Sequence, residues 1–253
     1  MRFTDRLEYK YVLDLKTYFA LKHKLMIFMK PGYHTKISST GRYFVRSLYY
    51  DTYDFKHYKE AEDGQFGRIK CRVRTYEPFI ANAEIISIEI KTKHGQNVKK
   101  YSELIPLNEY LEFLRDGSFN KSSVVLDEFT RLINNYNLEP KLIIEYEREG
   151  FVTKDKSDLR ITFDHNVRSA VSEVLFDDKL IGVRRHSPTV VCEIKCGMKK
   201  PVWLEALVKE YGLKVVGNSK YVQAVQRMNP NIIRNEVYSN APLFTKKVDV
   251  LDE

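Results

Sequence analysis

Residues 66–76 read F-G-R-I-K-C-R-V-R-T-Y, and their alternation decides the fold. Arg68, Lys70, Arg72 and Arg74 occupy every second position, with Ile69, Cys71 and Val73 between them. Successive side chains of a β-strand point to opposite faces, so this stretch is a strand with one cationic face and one small apolar face. At roughly 3.3 Å per residue the four cations span ~20 Å. Such a row costs energy unless an anion or carboxylates answer it. The strand alone supports two readings: a phosphate-binding strand, or a solvated sheet face, the ordinary place for a charge run. Recurrence of the pattern along the chain favours the first.

The 253 residues suffice for one large domain or two small ones, and 43% hydrophobic residues with 17 Tyr and 14 Phe supply a sizeable core. A net charge of +8 and a pI near 9.1 favour anionic partners: nucleic acid, a membrane surface or a polyanionic small molecule. No apolar run approaches the roughly 20 residues of a membrane span, and Met1-Arg2-Phe3-Thr4-Asp5 lacks the apolar segment of a signal peptide. Cys71, Cys192 and Cys196 are too few for a disulfide frame, and the last two lack a second pair for zinc. A cytoplasmic location is the expectation.

Along the chain, Arg6, Glu8 and Lys10 alternate with Leu7, Tyr9 and Tyr11. Asp14 caps a helix carrying Leu15, Tyr18, Phe19, Met26 and Met29 on one side and stopped by Pro31-Gly32. Residues 43–52 read as a strand, 54–61 as a short helix, and Asp63-Gly64 as the turn into the basic strand. Residues 84–93 and 98–105 form a hairpin around His94-Gly95-Gln96. With that turn, Lys91 faces Lys99, a like-charge pair that makes sense with an anion between them. Leu107, Tyr110, Leu111 and Leu114, then Val125, Phe129, Leu132, Ile133 and Tyr136, mark two core-facing helices. Strands follow at 141–148, 159–164 and 190–195, the last placing Glu193 and Lys195 on one face. Pro201 opens a helix ending at Gly212, and Asn218-Ser219-Lys220 opens the last. Lys220 lies in that helix's first turn, the wrong sign for the helix dipole and so a ligand-binding position. The main domain is expected over 1–235, with a tail over 236–253.

If the candidate strands, each with one charged and one apolar face, belong to a sheet that curls into a barrel, the charged faces line its lumen. Arg and Lys suit phosphate, and inward carboxylates suit Mg²⁺ or Mn²⁺. Neither G-x-x-x-x-G-K-[ST] nor G-x-G-x-x-G occurs, and no Ser/His/Asp or Cys/His order stands out. Tyrosines among basic residues leave single-stranded nucleic acid open.

The ordered motifs E-Y-K-Y, S-L-Y-Y-D-T, R-V-R-T-Y, E-I-K-T-K, V-K-K, E-Y-E-R, L-R-I-T-F-D, C-E-I-K and N-S-K-Y resemble the polyphosphate polymerase domain of the vacuolar transporter chaperone (VTC) family, in the CYTH or triphosphate-tunnel superfamily. The resemblance covers about residues 2–228 and implies an α+β fold, a CYTH-like antiparallel β-barrel tunnel flanked by α-helices, in which ATP and a divalent metal, Mn²⁺ or Mg²⁺, serve the growth of inorganic polyphosphate. It implies phosphate ligands at Lys10, Arg72, Arg74, Lys91, Lys99, Arg148 and Arg160, a metal ligand at Glu193, and contacts to the phosphate chain from Lys220 and Tyr146. Strand parity adds Lys70 and Lys195 to the phosphate ligands and Glu8 beside Glu193 to the metal ligands. Strict alternation places Arg148 with Ile144 and Tyr146, away from Glu145 and Glu147, so that either a bulge intervenes or the carboxylates face outward. One departure stands out: Gly217 occupies the position of a family lysine. The partners implied are ATP and polyphosphate, with no nucleic acid and a separate membrane partner for any export. The rival readings are a metal-dependent triphosphatase, which needs a carboxylate such as Glu8 or Glu89 to activate water or hold further metal, and a non-catalytic polyanion-binding module.

Overall fold

The computed structural model describes residues 7–95, 97–155, 157–177, 183–184, 189–197, 199–217 and 219–228. Arg6, Asn218, the expected domain end at 235 and the tail fall outside these residues. Among the described residues, ten strands form one antiparallel sheet. Its main path runs β1 (Leu7–Asp14), β10 (Thr189–Cys196), β8 (Arg160–Val171), β7 (Glu139–Thr153), β3 (Tyr43–Asp51), β4 (Gly67–Thr75), β5 (Ile85–His94) and β6 (Asn97–Pro106). β2 (Met29–Pro31) pairs with β7, and β9 (Val183–Arg184) with β8. The helices are α1 (Leu15–Phe28), α2 (Tyr33–Ile37), α3 (Lys56–Glu62), α4 (Leu107–Asp116), α5 (Val124–Tyr136), α6 (Val202–Glu210) and α7 (Lys220–Met228).

The sheet curls into a tunnel with the charged faces inward. Its terminal strands β1 and β6 are not hydrogen-bonded to each other among the described residues. Side chains span the gap instead: Lys91 Nζ lies 3.5 Å from Glu8 Oε2. The Val216 N–H also donates to the Lys10 carbonyl at 2.9 Å, covering an edge of β1 that would otherwise be open to pairing.

The apolar faces pack outward against helices. Tyr11, Ile161 and Phe163 meet Tyr18, Leu21 and Leu25 of α1 and Leu204 and Leu207 of α6. Cys71, Val73, Ile88 and Ile90 meet Tyr110 and Phe113 of α4 and Leu126, Phe129 and Leu132 of α5. A third cluster lies on the inner face, where Val45, Tyr49, Leu142, Ile144 and Tyr146 receive Tyr221, Ala224 and Val225 of α7. One stretch of the tunnel interior is therefore apolar, and the last helix packs into it.

Several local expectations shift. Asp14 does cap α1, accepting from the Thr17 N–H at 2.7 Å, but Leu15, Phe19 and Met26 are exposed while Tyr18, Leu21 and Leu25 are buried. In α4 the buried apolar residues are Tyr110 and Phe113, while Leu111 and Leu114 face water. Both helices expose leucines because their sheet contact covers only a narrow stripe. The hairpin turn is tighter than expected: His94 pairs with Asn97, with Gly95 at φ +58°. Lys91 therefore pairs with Lys100, and Lys99 with Thr92.

Asp51 ties three elements together from a fully buried position. Its Oδ1 accepts from the N–H groups of Thr52 and His57, both at 2.8 Å, and its Oδ2 accepts from the Tyr58 N–H at 3.0 Å and from the Tyr221 hydroxyl. The end of β3 thus fixes α3 and α7 at once. Asp51→Ala leaves buried donors without an acceptor, so it is expected to lower stability by about 3 kcal/mol or more. Urea unfolding checks this as a reduced midpoint with an unchanged slope.

Candidate functional site

Antiparallel pairing brings the inner-face cations of β4, β5 and β6 around one carboxylate. Arg72 lies opposite Glu89, and Arg74 opposite Ser87. Glu89 Oε2 accepts from Arg72 Nε at 2.7 Å, and its Oε1 accepts from Lys100 Nζ at 2.8 Å and from Ser87 Oγ at 3.3 Å. Arg74 Nη1 stands 3.8 Å from Oε1. Burial disfavours the Glu89 charge, but Arg72, Arg74 and Lys100 outweigh it and hold its pKa far below the carboxylate range. The two guanidiniums are fixed further: Arg72 Nη1 donates to the Tyr49 hydroxyl at 2.7 Å, and Arg74 Nε to Ser47 Oγ at 2.9 Å.

The opposite wall comes from β1, β10, β8 and β7. Lys10 lies across from Glu193, Glu8 from Lys195, and Glu193 from Thr162. Glu8 contacts Lys10 at 2.8 Å and Lys195 at 3.9 Å, while Glu193 contacts Lys195 at 2.8 Å. Burial and the neighbouring Glu193 both oppose ionisation of Glu8, yet Lys10, Lys91 and Lys195 bring its pKa down to about 2. Glu193 is likewise lowered against its burial, chiefly by Lys195, Arg148 and Lys10. Deeper still, buried Asp164 receives Arg148 Nε at 2.5 Å and Nη2 at 2.9 Å, and pairs with Lys220 of α7. Lys220 Nζ also sits over the Tyr146 ring, 4.9 Å from its centroid. The anchor of that lysine is the Asp51–Tyr221 contact one residue on.

The sheet gathers Lys10, Lys70, Arg72, Arg74, Lys91, Tyr146, Arg148, Arg160, Lys195, Glu8 and Glu193 onto one inner surface, and α7 adds Lys220. Lys99 is the exception. Its partner is Thr92, and it faces the outer groove that Ile90, Tyr101 and Val125 line under α5. Lys100 takes the inner place. The sequence offered V-K-K without the turn geometry needed to choose between the two lysines. At Arg148 the alternation holds on β7: Glu145 pairs outward with Arg46, and Glu149 lies under α1 with Tyr18 and Lys22. The register shift between Glu145 and Glu147 is taken up on β8, where Asn166 adopts φ +52°. Gly217 has open space around it, since a Cβ there meets nothing within 4 Å, so no steric demand explains the glycine.

Cations outnumber carboxylates on this surface, and the excess shows at Lys70. Its partner on β5 is Lys91. Its Nζ donates to Ser219 Oγ at 2.9 Å and lies 5.7 Å from the Tyr221 ring centroid. Burial, then Lys91, Lys10, Arg68 and Arg72, push its pKa down to about 7. Lys91 and Lys100 are lowered too, first by burial and against the pull of Glu8 and Glu89 respectively.

The donor set also fits a divalent ion delivered with phosphate. Glu8 and Glu193 repel each other, and the buried Thr162 hydroxyl opposite Glu193 has no hydrogen-bond partner among the described residues. One or two carboxylates completed by phosphate oxygens is the usual arrangement for Mg²⁺. No group of three or more His, Cys, Asp or Glu poised for a metal occurs among the described residues.

Lys70 gives a signed pH dependence. Its folded pKa of about 7 lies below the ordinary 10.5, so between these values the unfolded chain binds more protons. The destabilisation from its charge is full below pH 7 and fades as pH rises towards 10.5. Lys70→Met should therefore gain most over the wild type at about pH 7, with the difference in unfolding free energy shrinking at about pH 9 and 10.

The VTC domain family model matches residues 5–229. No curated protein matches the chain. Among solved structures, a candidate adenylate cyclase from Bacillus halodurans superposes with a TM-score of 0.53 at 15% identity, covering 88% of this chain and 96% of that one. A candidate adenylate cyclase from Vibrio parahaemolyticus gives 0.44 at 13% identity, covering 92% and 99% of the two chains. A Pyrococcus horikoshii OT3 protein gives 0.46 at 11% identity, covering 88% and 99%. The first of these shares the fold. With its motifs gathered on the inner wall of a tunnel and the family match spanning residues 5–229, this chain belongs to the VTC domain family.

Proposed function

We propose that the protein is a polyphosphate polymerase, transferring the γ-phosphate of ATP to the end of a growing inorganic polyphosphate chain inside the tunnel. The observation that carries this reading is the uncompensated inward charge, seen where Lys70 lies opposite Lys91 and Lys91 opposite Lys100, and burial with these neighbours lowers the Lys70 pKa. A polyanion of phosphates along the lumen relieves that charge and restores the proton on Lys70.

Phosphoryl transfer needs positioning and charge neutralisation more than covalent chemistry. Arg72, Arg74, Lys10, Lys91, Arg148 and Arg160 take the phosphate oxygens of donor and acceptor, Arg by paired hydrogen bonds and Lys as point charges. Lys70, Lys195, Lys220 and Tyr146 hold the chain, and Lys100 joins them in place of Lys99. The terminal oxygen of the acceptor attacks γ-phosphorus, the bond to the β-phosphate oxygen breaks, and ADP leaves with those electrons. The attacking oxygen is already ionised, so no general base is required. Glu193, with Glu8, would hold Mn²⁺ or Mg²⁺, which supplies charge neutralisation on the phosphates.

A triphosphatase needs a base for water. The carboxylates available for that work, Glu8 and Glu89, are held ionised by lysines and arginines, which makes them weak proton acceptors. No helix among the described residues is long and apolar enough to cross a membrane.

Purified protein with ATP and Mn²⁺ should yield a metal-dependent ladder on a polyphosphate-stained gel. Arg74→Ala should cut this turnover by about a hundredfold or more, the usual cost of one preorganised donor to transition-state charge, with an unchanged circular dichroism spectrum. Near-normal turnover in that variant would remove Arg74 from the site. Free phosphate without a ladder would indicate hydrolysis.

A further inference from the structure

The cationic face of β4 ends in an aromatic ring. Tyr76 follows the last strand residue, Thr75, and continues the parity of Arg72 and Arg74. Its ring centroid is 6.3 Å from that of Tyr43 and 6.2 Å from that of His34, with the His34 and Tyr76 planes only 5° apart. The rings of His34 and Tyr43 are 5.4 Å apart. Tyr43 belongs to the tunnel wall: it lies opposite Arg148, and Arg160 Nη2 stands 3.4 Å from its hydroxyl. These rings therefore form one mouth of the cationic lumen.

That mouth is open to solvent. Tyr76 is 42% exposed, and Tyr33, edge-on to His34, is 72% exposed. The rings are not needed to fasten α2. Its start is already tied by the Gly32 N–H to the Gly150 carbonyl at 2.7 Å, and Thr35 Oγ1 accepts from the Gly150 N–H at 2.7 Å. Exposed π faces beside guanidiniums suit a ligand with phosphates at one end and a flat ring at the other. Tyr76 is two residues past Arg74, roughly 7 Å along an extended chain, so a single molecule reaches both.

We infer that His34, Tyr43 and Tyr76 form a nucleobase-stacking subsite at the tunnel mouth, so that a purine nucleoside triphosphate binds in preference to inorganic triphosphate. This rests on the tunnel being a triphosphate site and adds what recognises the rest of the donor. Purines present more π surface than pyrimidines, and aromatic stacking tolerates the identity of the purine.

The test is equilibrium binding of ATP, UTP and inorganic tripolyphosphate to the full chain in Mg²⁺ at fixed salt, for wild type, Tyr76→Ala and Tyr76→Phe. The subsite predicts wild-type affinity in the order ATP, UTP, tripolyphosphate. Tyr76→Ala should weaken ATP about tenfold and leave tripolyphosphate within about twofold. Tyr76→Phe, which keeps the ring, should retain ATP binding. Equal weakening of ATP and tripolyphosphate by Tyr76→Ala would make the ring merely structural and overturn the subsite. Wild-type ATP affinity no better than that of tripolyphosphate would also overturn it, leaving the phosphate tunnel standing. Binding of none of the three by the wild type would remove the tunnel reading and the subsite together.

Discussion

Repulsion among desolvated cations is the constraint that the rest of this structure answers. Lys70 opposite Lys91, beside Lys91 opposite Lys100, sets like charges against each other across three strands, an arrangement that destabilises a sheet. Shared carboxylates make the arrangement tolerable. Glu89 serves Arg72 and Lys100, Asp164 serves Arg148 and Lys220, and Glu8 serves Lys10 and Lys91. Each carboxylate neutralises part of the charge and also fixes where its cations point. The guanidiniums are thus oriented in advance of any phosphate, and the lumen stays net positive.

The same repulsion explains the last helix. An inner wall of cations alone would leave the tunnel with no means of holding a helix, and the interior accordingly turns apolar at Val45, Tyr49, Leu142 and Ile144. α7 packs there, Asp51 receives its tyrosine, and Lys220 is delivered to Asp164. Stability and site construction meet in two consecutive residues: Tyr221 anchors and Lys220 projects.

Much of this was legible because the side-chain period of a strand is two. Arg68 to Arg74, Glu8 with Lys10, and Glu193 with Lys195 fall on their proper face by parity alone, and the carboxylates flanking Arg148 point outward as alternation demands. What was not legible depended on single-residue choices that parity cannot make. A turn one residue tighter exchanges Lys99 for Lys100. In α1 and α4 apolar residues on several sides blur the buried stripe, so Phe19 and Leu111 were poor guides. The inward turn of Ile144 and Leu142 carried no distinct signal, because an apolar residue on a strand gives no indication of whether a sheet face or a helix covers it. Asp51 lacked one too, since its donors come from residues 52–58 and from Tyr221.

The pairing of β1 with β10 has a consequence for how the molecule comes into being. Leu7 lies opposite Cys196 and Asp14 opposite Thr189, so the first strand described finds its neighbour only after most of the chain has been made. Contacts of such sequence separation make folding slow, because a long loop must close before any of them forms. During synthesis, Glu8 and Lys10 wait without Lys195 and Glu193, and the Arg148–Asp164 pair waits for Lys220. The emerging chain therefore carries charged groups whose partners arrive only with the last strand and the last helix.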